Sequence, residues 1–405
     1  MTLKKRPDPR PVKNGALIDI AEATKALGVN RNTLYAYVSR GLVRSSSHPD
    51  HPKTSLYDAR DIQALIERKS RMRRPRMAAA TALEFGLPVL KTKLTHFEGD
   101  SLFYRNVNAI DLSRTASLED TARLLWNTGT DNPFDGLNFD PREVPGWLET
   151  NSRFAKARAT DRACALLPLL TNLPGTPAAH SASSGTRAAA RLLLAVVSAA
   201  TADTKVVRSP IHKHVATALS TSRASDTIRR ALVLLADHEL NASTFAVRVV
   251  ASTGARHTNC VMSGLAALSG PRHGAATERA RAFISQIGLP ADAERIVGDR
   301  LDHAESIPGF GHFVYPAADP RAAELLTRFK IDSISRATLK AVRSMSGTQP
   351  NIDFALVAME RSFGLPDGTA LTLFAIARTV GWLSHVFEQR AAGNLIRPRA
   401  EFVLE

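Results

Sequence analysis

Alanine and leucine recur through almost the whole of this 405-residue chain, while runs of aromatic and β-branched residues are scarce. Strands draw on the latter and helices on the former, so the pattern commits the chain to a mostly helical, all-α fold. Aromatics make up 6% of the residues against 44% hydrophobic overall, which leaves aliphatic side chains to fill the core. At this length the chain exceeds one ordinary domain and can bury a large interior.

No apolar stretch approaches the ~18 uncharged residues that a membrane-spanning helix needs. Leu192 to Ala202 comes nearest and reads as a buried helix. The N-terminus lacks the apolar core of a signal peptide. Cys164 and Cys260 lie in apolar helical text, and two such thiols make neither a disulfide framework nor a zinc site. These features lead to the expectation of a cytoplasmic protein.

Charge is unevenly spread. Of the net +15, residues 1–76 carry +10, from 17 Lys or Arg against 7 Asp or Glu. Such a bias marks a polyanion-binding arm or a solubilising tail. Residues 1–13 hold three prolines and five basic residues with almost nothing to bury, and read as a disordered tail. From Leu17 the pattern turns helical: Ala23, Ala26 and Leu27 form a stripe ending at Gly28, and Asn30 is placed to cap a second helix. Leu34 and Val38 would face inward there, with Arg31, Asn32 and Tyr35 outward, until Gly41. After a Ser/Pro/His stretch from Ser45 to Ser55 come Tyr57 and a third helix with Ile62, Leu65 and Ile66 on one face. Helix, glycine turn and helix with a polar outer face is the helix-turn-helix layout. Residues 17–43, LIDIAEATKALGVNRNTLYAYVSRGLV, resemble the MerR-type winged helix-turn-helix family. That resemblance implies a domain over residues 14–70 with Arg31, Asn32, Tyr35 and Arg40 facing DNA. The run RMRRPRM at 71–77 reads as part of a basic linker, residues 71–78, that can touch phosphate.

In the remaining body, four segments combine polar residues that are costly to bury with backbone-shaping glycines and prolines. They are DHELNASTFAVR (237–248), SGPRHGAATE (269–278), PGFGHFVYPAADPRA (308–322) and PNIDFALVAME (350–360), the last followed by ARTVGW from Ala377 and LIRPRAEF from Leu395. Histidine near its ordinary pKa donates or accepts a proton. An aspartate in apolar surroundings is raised in pKa and can serve as a base. Arginines offer planar forks for carboxylates. Together these point to proton transfer on a substrate with several carboxylates. Taken singly, each has a plain structural reading: a turn histidine as a backbone partner, Asp353 as a helix N-cap after Pro350, Arg378 as the partner of Glu388 or of the nearby C-terminus.

The order and wording of the segments go further. From about Ala79 to Glu405, starting at LFYRNVNAIDL and LEDTARLLW and densest from Asp237, the chain resembles the citrate synthase family. The resemblance implies large and small helical domains, the small one roughly residues 270–375, in a homodimer, and no metal or tightly bound cofactor. It implies that Asp353 removes a methyl proton from acetyl-CoA, that His273 stabilises the enol oxygen, and that His312 polarises the oxaloacetate carbonyl. His238 would bind oxaloacetate. Arg321, Arg378 and Arg397 would clamp its carboxylates, Arg397 reaching the partner subunit's site. Around His273 the chain carries Arg272, Ala275 and Thr277 where family members usually read LHGGAN, and Phe313 follows His312 where arginine is usual. These departures fall on the thioester and CoA side. Two alternatives stand beside citrate formation: 2-methylcitrate synthesis from propionyl-CoA, since one methylene is worth only ~1–3 kcal/mol in a pocket, and a DNA-binding regulator with a metabolite-sensing body.

Overall fold

The computed structural model describes residues 17–29, 31, 34, 37–38, 42–48, 55–73, 89–172, 182–398 and 400. Two compact units divide the chain, residues 1–91 and 92–405.

In the first unit, β1 (Leu17–Ile18), α1 (Ile20–Leu27), β2 (Ser45–Ser47), β3 (Ser55–Asp58) and α2 (Ala59–Arg73) follow in order. The Asp19 carboxylate accepts the Glu22 N–H to start α1, and Gly28 ends it at φ +61°, a conformation that glycine adopts without a Cβ penalty. The stripe is only partly as expected: Ala23 and Leu27 are buried, and Ala26 packs at the edge. Leu34 is fully buried, Val38 packs against the same cluster, and Arg31 is exposed. Asn30, Asn32, Tyr35, Arg40 and Gly41 lie outside the described residues, as do residues 1–16 and 74–88. Part of the serine-rich stretch is a strand. Ser45–Ser47 pairs antiparallel with Ser55–Tyr57, giving a sheet of order β1-β3-β2. The pairing turns Tyr57 into a core with Ile18, Leu34, Val43, Ile62 and Leu65. A serine run has no apolar alternation to announce a strand, so cross-strand pairing decides it.

The second unit opens with an antiparallel meander, β4 (Thr95–Glu98), β5 (Ser101–Tyr104) and β6 (Val107–Asn108), in the register Thr95↔Tyr104 and Phe103↔Asn108. Helices then dominate: α3 (Ala109–Thr115), α4 (Leu118–Trp126), α5 (Trp147–Arg153), α6 (Ala159–Leu166), α7 (Ala182–Thr201), α8 (Ile211–Ala218) and α9 (Ser225–Leu235). A two-stranded ladder, β7 (Asn138–Phe139) with β8 (Val207–Arg208), interrupts them. After α9 come α10 (Ala242–Ser252), α11 (His257–Leu268), α12 (Ala276–Gln286), α13 (Ala293–Asp302), α14 (Pro320–Leu326), α15 (Ser333–Ser346), α16 (Ile352–Phe363) and α17 (Thr369–Ala392). Local chemistry sets their ends. Ser117 and Asp120 form a reciprocal capping box on α4, Asn108 and Asn241 cap α3 and α10, and Gly347 and Gly364 end α15 and α16 in the left-handed region.

Helix α17 is the axis of this unit, packed against α4, α7, α9, α10 and α11. By length and composition it is apolar enough to cross a membrane, yet 94% of its apolar window is buried within the protein. It is therefore a core helix, and α7 is another, with Leu193 to Ala200 buried as the sequence led us to expect. Two glycines permit the closest approaches. A Cβ at Gly264 on α11 would come within 2.6 Å of the Trp382 ring. One at Gly381 would overlap the Ala236 carbonyl and the Asp237 carboxylate, where the Gly381 N–H donates to Ala236 O. Cys164 and Cys260 are free thiols, each raised to about 11 by burial.

Candidate active site

The site is built where the end of α9, the turn before α12, the loop before α14 and the start of α16 meet α17. Asp237 follows α9 and is fully buried. Its Oδ2 accepts the Thr95 hydroxyl at 2.5 Å and lies 3.3 Å from His385 Nε2, also fully buried. Burial pushes the Asp237 carboxyl up, but His385, Arg378 and the Thr95 hydroxyl hold it below its ordinary value. Thus anchored, the chain presents His238, whose Nε2 lies 3.0 Å from the Tyr315 hydroxyl.

His273 sits in the Gly270–Gly274 turn, its N–H bonded to Gly270 O. Its Nε2 is 2.7 Å from Ser243 Oγ, an oxygen that accepts the Trp382 indole N–H at 3.2 Å. Burial, with Arg378 nearby, lowers His273 to about 4. His312 likewise falls to about 4 through burial and the Arg321 charge. Its Nδ1 accepts the Val314 N–H at 3.1 Å, so a neutral ring carries its proton on Nε2. The 3.3 Å approach of Arg321 Nη2 to that nitrogen is then a contact between two donors, not a hydrogen bond. His238 lies well below 6.5, first from burial and then from Arg321 and Arg378. All three rings are neutral at pH 7.

Asp319 organises the other half. Its Oδ1 accepts Arg321 N and Nε, and its Oδ2 accepts Arg321 Nη2 and the Ile352 N–H, all at 2.9–3.0 Å. Arg321 is 2% exposed, and although burial opposes its charge, Asp319 raises its proton affinity on balance. A short antiparallel contact ties the histidine loop to α16. Gly311 N donates to Gln349 O, and Asn351 N to Gly309 O. The Asn351 amide bonds Gly311 O at 2.9 Å, while its Oδ1 caps the helix by accepting the Asp353 and Phe354 N–H groups. Asn351, not Asp353, is therefore the cap. Burial raises the Asp353 carboxyl to about 7, assisted by Asp319 and opposed by Arg321 and Arg378.

Arg378 is 1% exposed, donates Nε–H to Leu235 O and lies over the Phe374 ring. Its burial lowers it to about 10, still a cation at neutral pH. Glu388 is not its partner; it pairs with Arg248 at 2.7 Å. A cavity of about 280 Å³ opens beside His312, bounded by Gly311, Tyr315, Asp319 and Gln349. His238, His273, His312, Arg321, Asp353 and Arg378 thus share one electrostatic neighbourhood. Arg397 stands apart, exposed on the segment after α17, whose Ile396 N–H bonds Ser252 Oγ. Phe313 is 71% exposed, Arg272 is exposed, and Ala275 and Thr277 are buried just after the turn that carries His273, at the start of α12.

Tyr315, Ser243 and Asp319 were not singled out from sequence. Only Asp319 had a readable signal, as the acid two residues before an arginine at a proline-marked helix start. Chemically, neutral N–H donors can stabilise developing oxyanions, a carboxyl titrating near 7 can move a proton, and two buried guanidiniums can hold a carboxylated ligand. Among the described residues no group of three or more His, Cys, Asp or Glu is arranged to hold a metal ion.

Fold and site together define a mostly helical protein that gathers neutral histidines, two buried guanidiniums and a carboxyl raised to about 7 in one place. The profile described as citrate synthase, C-terminal domain, matches residues 83–399, and the chain belongs to the citrate synthase family. It is 37% identical over 187 residues to citrate synthase 2 of Bacillus subtilis, spanning 44% of this chain and 50% of that protein. It is 35% identical over 182 residues to 2-methylcitrate synthase of Shewanella oneidensis, spanning 42% and 48%. The aligned part of the chain spans about half the length of the curated relatives it matches. Among solved structures, citrate synthase from Pyrobaculum aerophilum superposes with a TM-score of 0.66 at 26% identity, covering 79% of this chain and 91% of that one. The fold is also that of the Thermoplasma acidophilum citrate synthase solved with carboxymethyl coenzyme A and oxaloacetate, at 22% identity and a TM-score of 0.66, covering 80% and 96%.

Proposed function

We propose that this protein condenses acetyl-CoA with oxaloacetate to give citrate and free CoA. The observation that carries the reading is the half-buried Asp353 carboxyl, raised to about 7 against the opposing charges of Arg321 and Arg378, in a site whose His273 and His312 are neutral. In this reading the Asp353 carboxylate takes a methyl proton from the thioester, and the enol oxygen forms against a His273 N–H. The enol carbon bonds to the oxaloacetate carbonyl carbon as the C=O π pair moves onto its oxygen under polarisation by the His312 Nε2–H, and that oxygen takes up one proton, balancing the one left on Asp353, to become the alcohol. Arg321, Arg378 and His238 hold the carboxylates. Water then cleaves the citryl thioester, releasing CoA. Arg397 would act from a partner subunit in a homodimer. The test is thiol release from acetyl-CoA and propionyl-CoA with oxaloacetate, with the products identified by mass spectrometry. Citrate and CoA from acetyl-CoA support the reading. A clear preference for propionyl-CoA would instead favour 2-methylcitrate formation, the activity named for the Shewanella relative. No thiol release with either refutes both.

For the first unit we propose a MerR-type helix-turn-helix module that binds DNA through Arg31, Asn32, Tyr35 and Arg40. The excess charge of residues 1–76 and the buried Leu34 beneath an exposed Arg31 support it. Fluorescence-anisotropy titration at two salt concentrations, with fragments that include the gene's own upstream region, tests it. Sequence-indifferent binding lost near physiological salt would contradict it.

A further inference from the structure

We propose that Tyr315 is a positioning residue whose hydroxyl fixes the tautomer of His238, making its Nδ1–H the donor offered to the carboxylated substrate. The inference rests on the reading of His238 as a substrate-binding residue. Tyr315 is 1% exposed, and its hydroxyl lies 3.0 Å from His238 Nε2. Its ring touches two more site residues: His312, with ring centres 4.8 Å apart, and Arg321, whose Cζ lies 5.3 Å from the ring centre. His238 is enclosed by Phe97, His312 and Tyr315, with ring centres 5.1–5.5 Å away.

A neutral imidazole has one N–H, so the contact with Tyr315 can be made in two ways. With the proton on Nδ1, the phenol O–H donates to the Nε2 lone pair and both groups are satisfied. With the proton on Nε2, His238 donates to the phenol oxygen, and the phenol proton has no acceptor among the described residues. Leaving a buried donor unsatisfied shifts the balance by roughly tenfold or more towards the first arrangement. A carboxylate or keto oxygen only accepts hydrogen bonds, so a ring offering Nδ1–H binds it and a ring offering a lone pair repels it. The same short stretch performs this service twice. The Val314 N–H fixes the proton of His312 on Nε2, and the Tyr315 hydroxyl fixes that of His238 on Nδ1. Both histidines then present donors, which suits an acceptor-only substrate.

The test uses the full chain labelled with ¹⁵N-histidine. Long-range ¹H–¹⁵N spectra at neutral pH report which ring nitrogen carries the proton, with His238→Ala assigning the resonance. The wild-type ring is expected to be protonated at Nδ1, and Tyr315→Phe, which keeps the aromatic ring, to move the proton wholly or partly to Nε2. By calorimetry the same variant should bind oxaloacetate about tenfold more weakly, while its KM for acyl-CoA stays within twofold of wild type. A wild-type His238 protonated at Nε2 overturns the proposal without recourse to the variant. So does Tyr315→Phe with an unchanged tautomer and unchanged oxaloacetate affinity. If the wild-type protein fails to bind oxaloacetate at all, the functional reading falls, while the spectra still decide what Tyr315 does to His238.

Discussion

Asp319→Asn removes one charge and almost no volume, and we expect it to be among the most damaging isosteric changes in the protein. Each carboxylate oxygen accepts two hydrogen bonds: Oδ1 from Arg321 N and Nε, Oδ2 from Arg321 Nη2 and the Ile352 N–H. An asparagine has one acceptor oxygen. Whichever way its amide turns, its NH₂ group meets two donors. If the NH₂ replaces Oδ2, the start of α16 loses its tie; if it replaces Oδ1, Arg321 loses two bonds. Either way a guanidinium that is 2% exposed keeps its charge with half its partner gone. Breaking a buried ion pair from one side costs about 3–5 kcal/mol, which at ~2–4 °C per kcal/mol lowers Tm by roughly 10 °C. Because Ile352 precedes Asp353, thiol release should fall as well. Urea denaturation of wild type and variant gives the free energy, and the thiol assay gives the rate. A stability change under 1 kcal/mol with normal turnover would refute the claim that one carboxylate holds both the arginine and the helix bearing Asp353.

Two further outcomes follow from the same geometry. Arg378→Leu and Arg321→Leu should each weaken oxaloacetate binding by roughly 10–100-fold, the loss of a charge-assisted bond, with acyl-CoA affinity much less affected. Arg321→Leu should also destabilise the fold, since it strands Asp319; calorimetry that finds oxaloacetate affinity unchanged in both variants removes them from the site. Gly264→Ala should cost about 1–3 kcal/mol, because its Cβ would lie 2.6–2.9 Å from three Trp382 ring atoms. The ring's retreat would stretch the 3.2 Å bond to Ser243 that supports His273, and a neutral thermal unfolding result would show the packing to be looser than this.

The helical class was legible because Ala and Leu dominate everywhere. The site segments were legible because histidines, arginines and an aspartate sit beside glycines and prolines in a recognisable order. What stayed hidden was everything set by contacts between distant segments. The Asp237–His385 pair spans 148 residues, and nothing local to either predicts it. Ser243 gains meaning only from His273 and Trp382 arriving on its hydroxyl from other elements. Asp353 was readable as a base or as a cap, and only the backbone could remove the second reading, by giving the cap to Asn351. The strand at Ser45–Ser47 was missed because pairing with β3, not its own composition, makes it a strand.

Asp353 is the centre of the account, and the pH dependence of kcat/KM for thiol release, in wild type and in Asp353→Asn, tests it most directly. A base must be ionised to take a proton, so with its carboxyl at about 7 the wild-type rate should rise tenfold per pH unit below 7 and level off above it. His273 and His312, at about 4, stay neutral throughout this range and add no second limb. Stability should respond in the opposite sense. The folded carboxyl holds its proton between about 4 and 7 while the unfolded one does not, so wild type should lose stability relative to Asp353→Asn as pH rises through that window. The account predicts a rising limb near pH 7 in wild type, and a folded Asp353→Asn protein slower by ~10²–10⁴-fold. A variant that keeps near-normal turnover with an unaltered profile would contradict it.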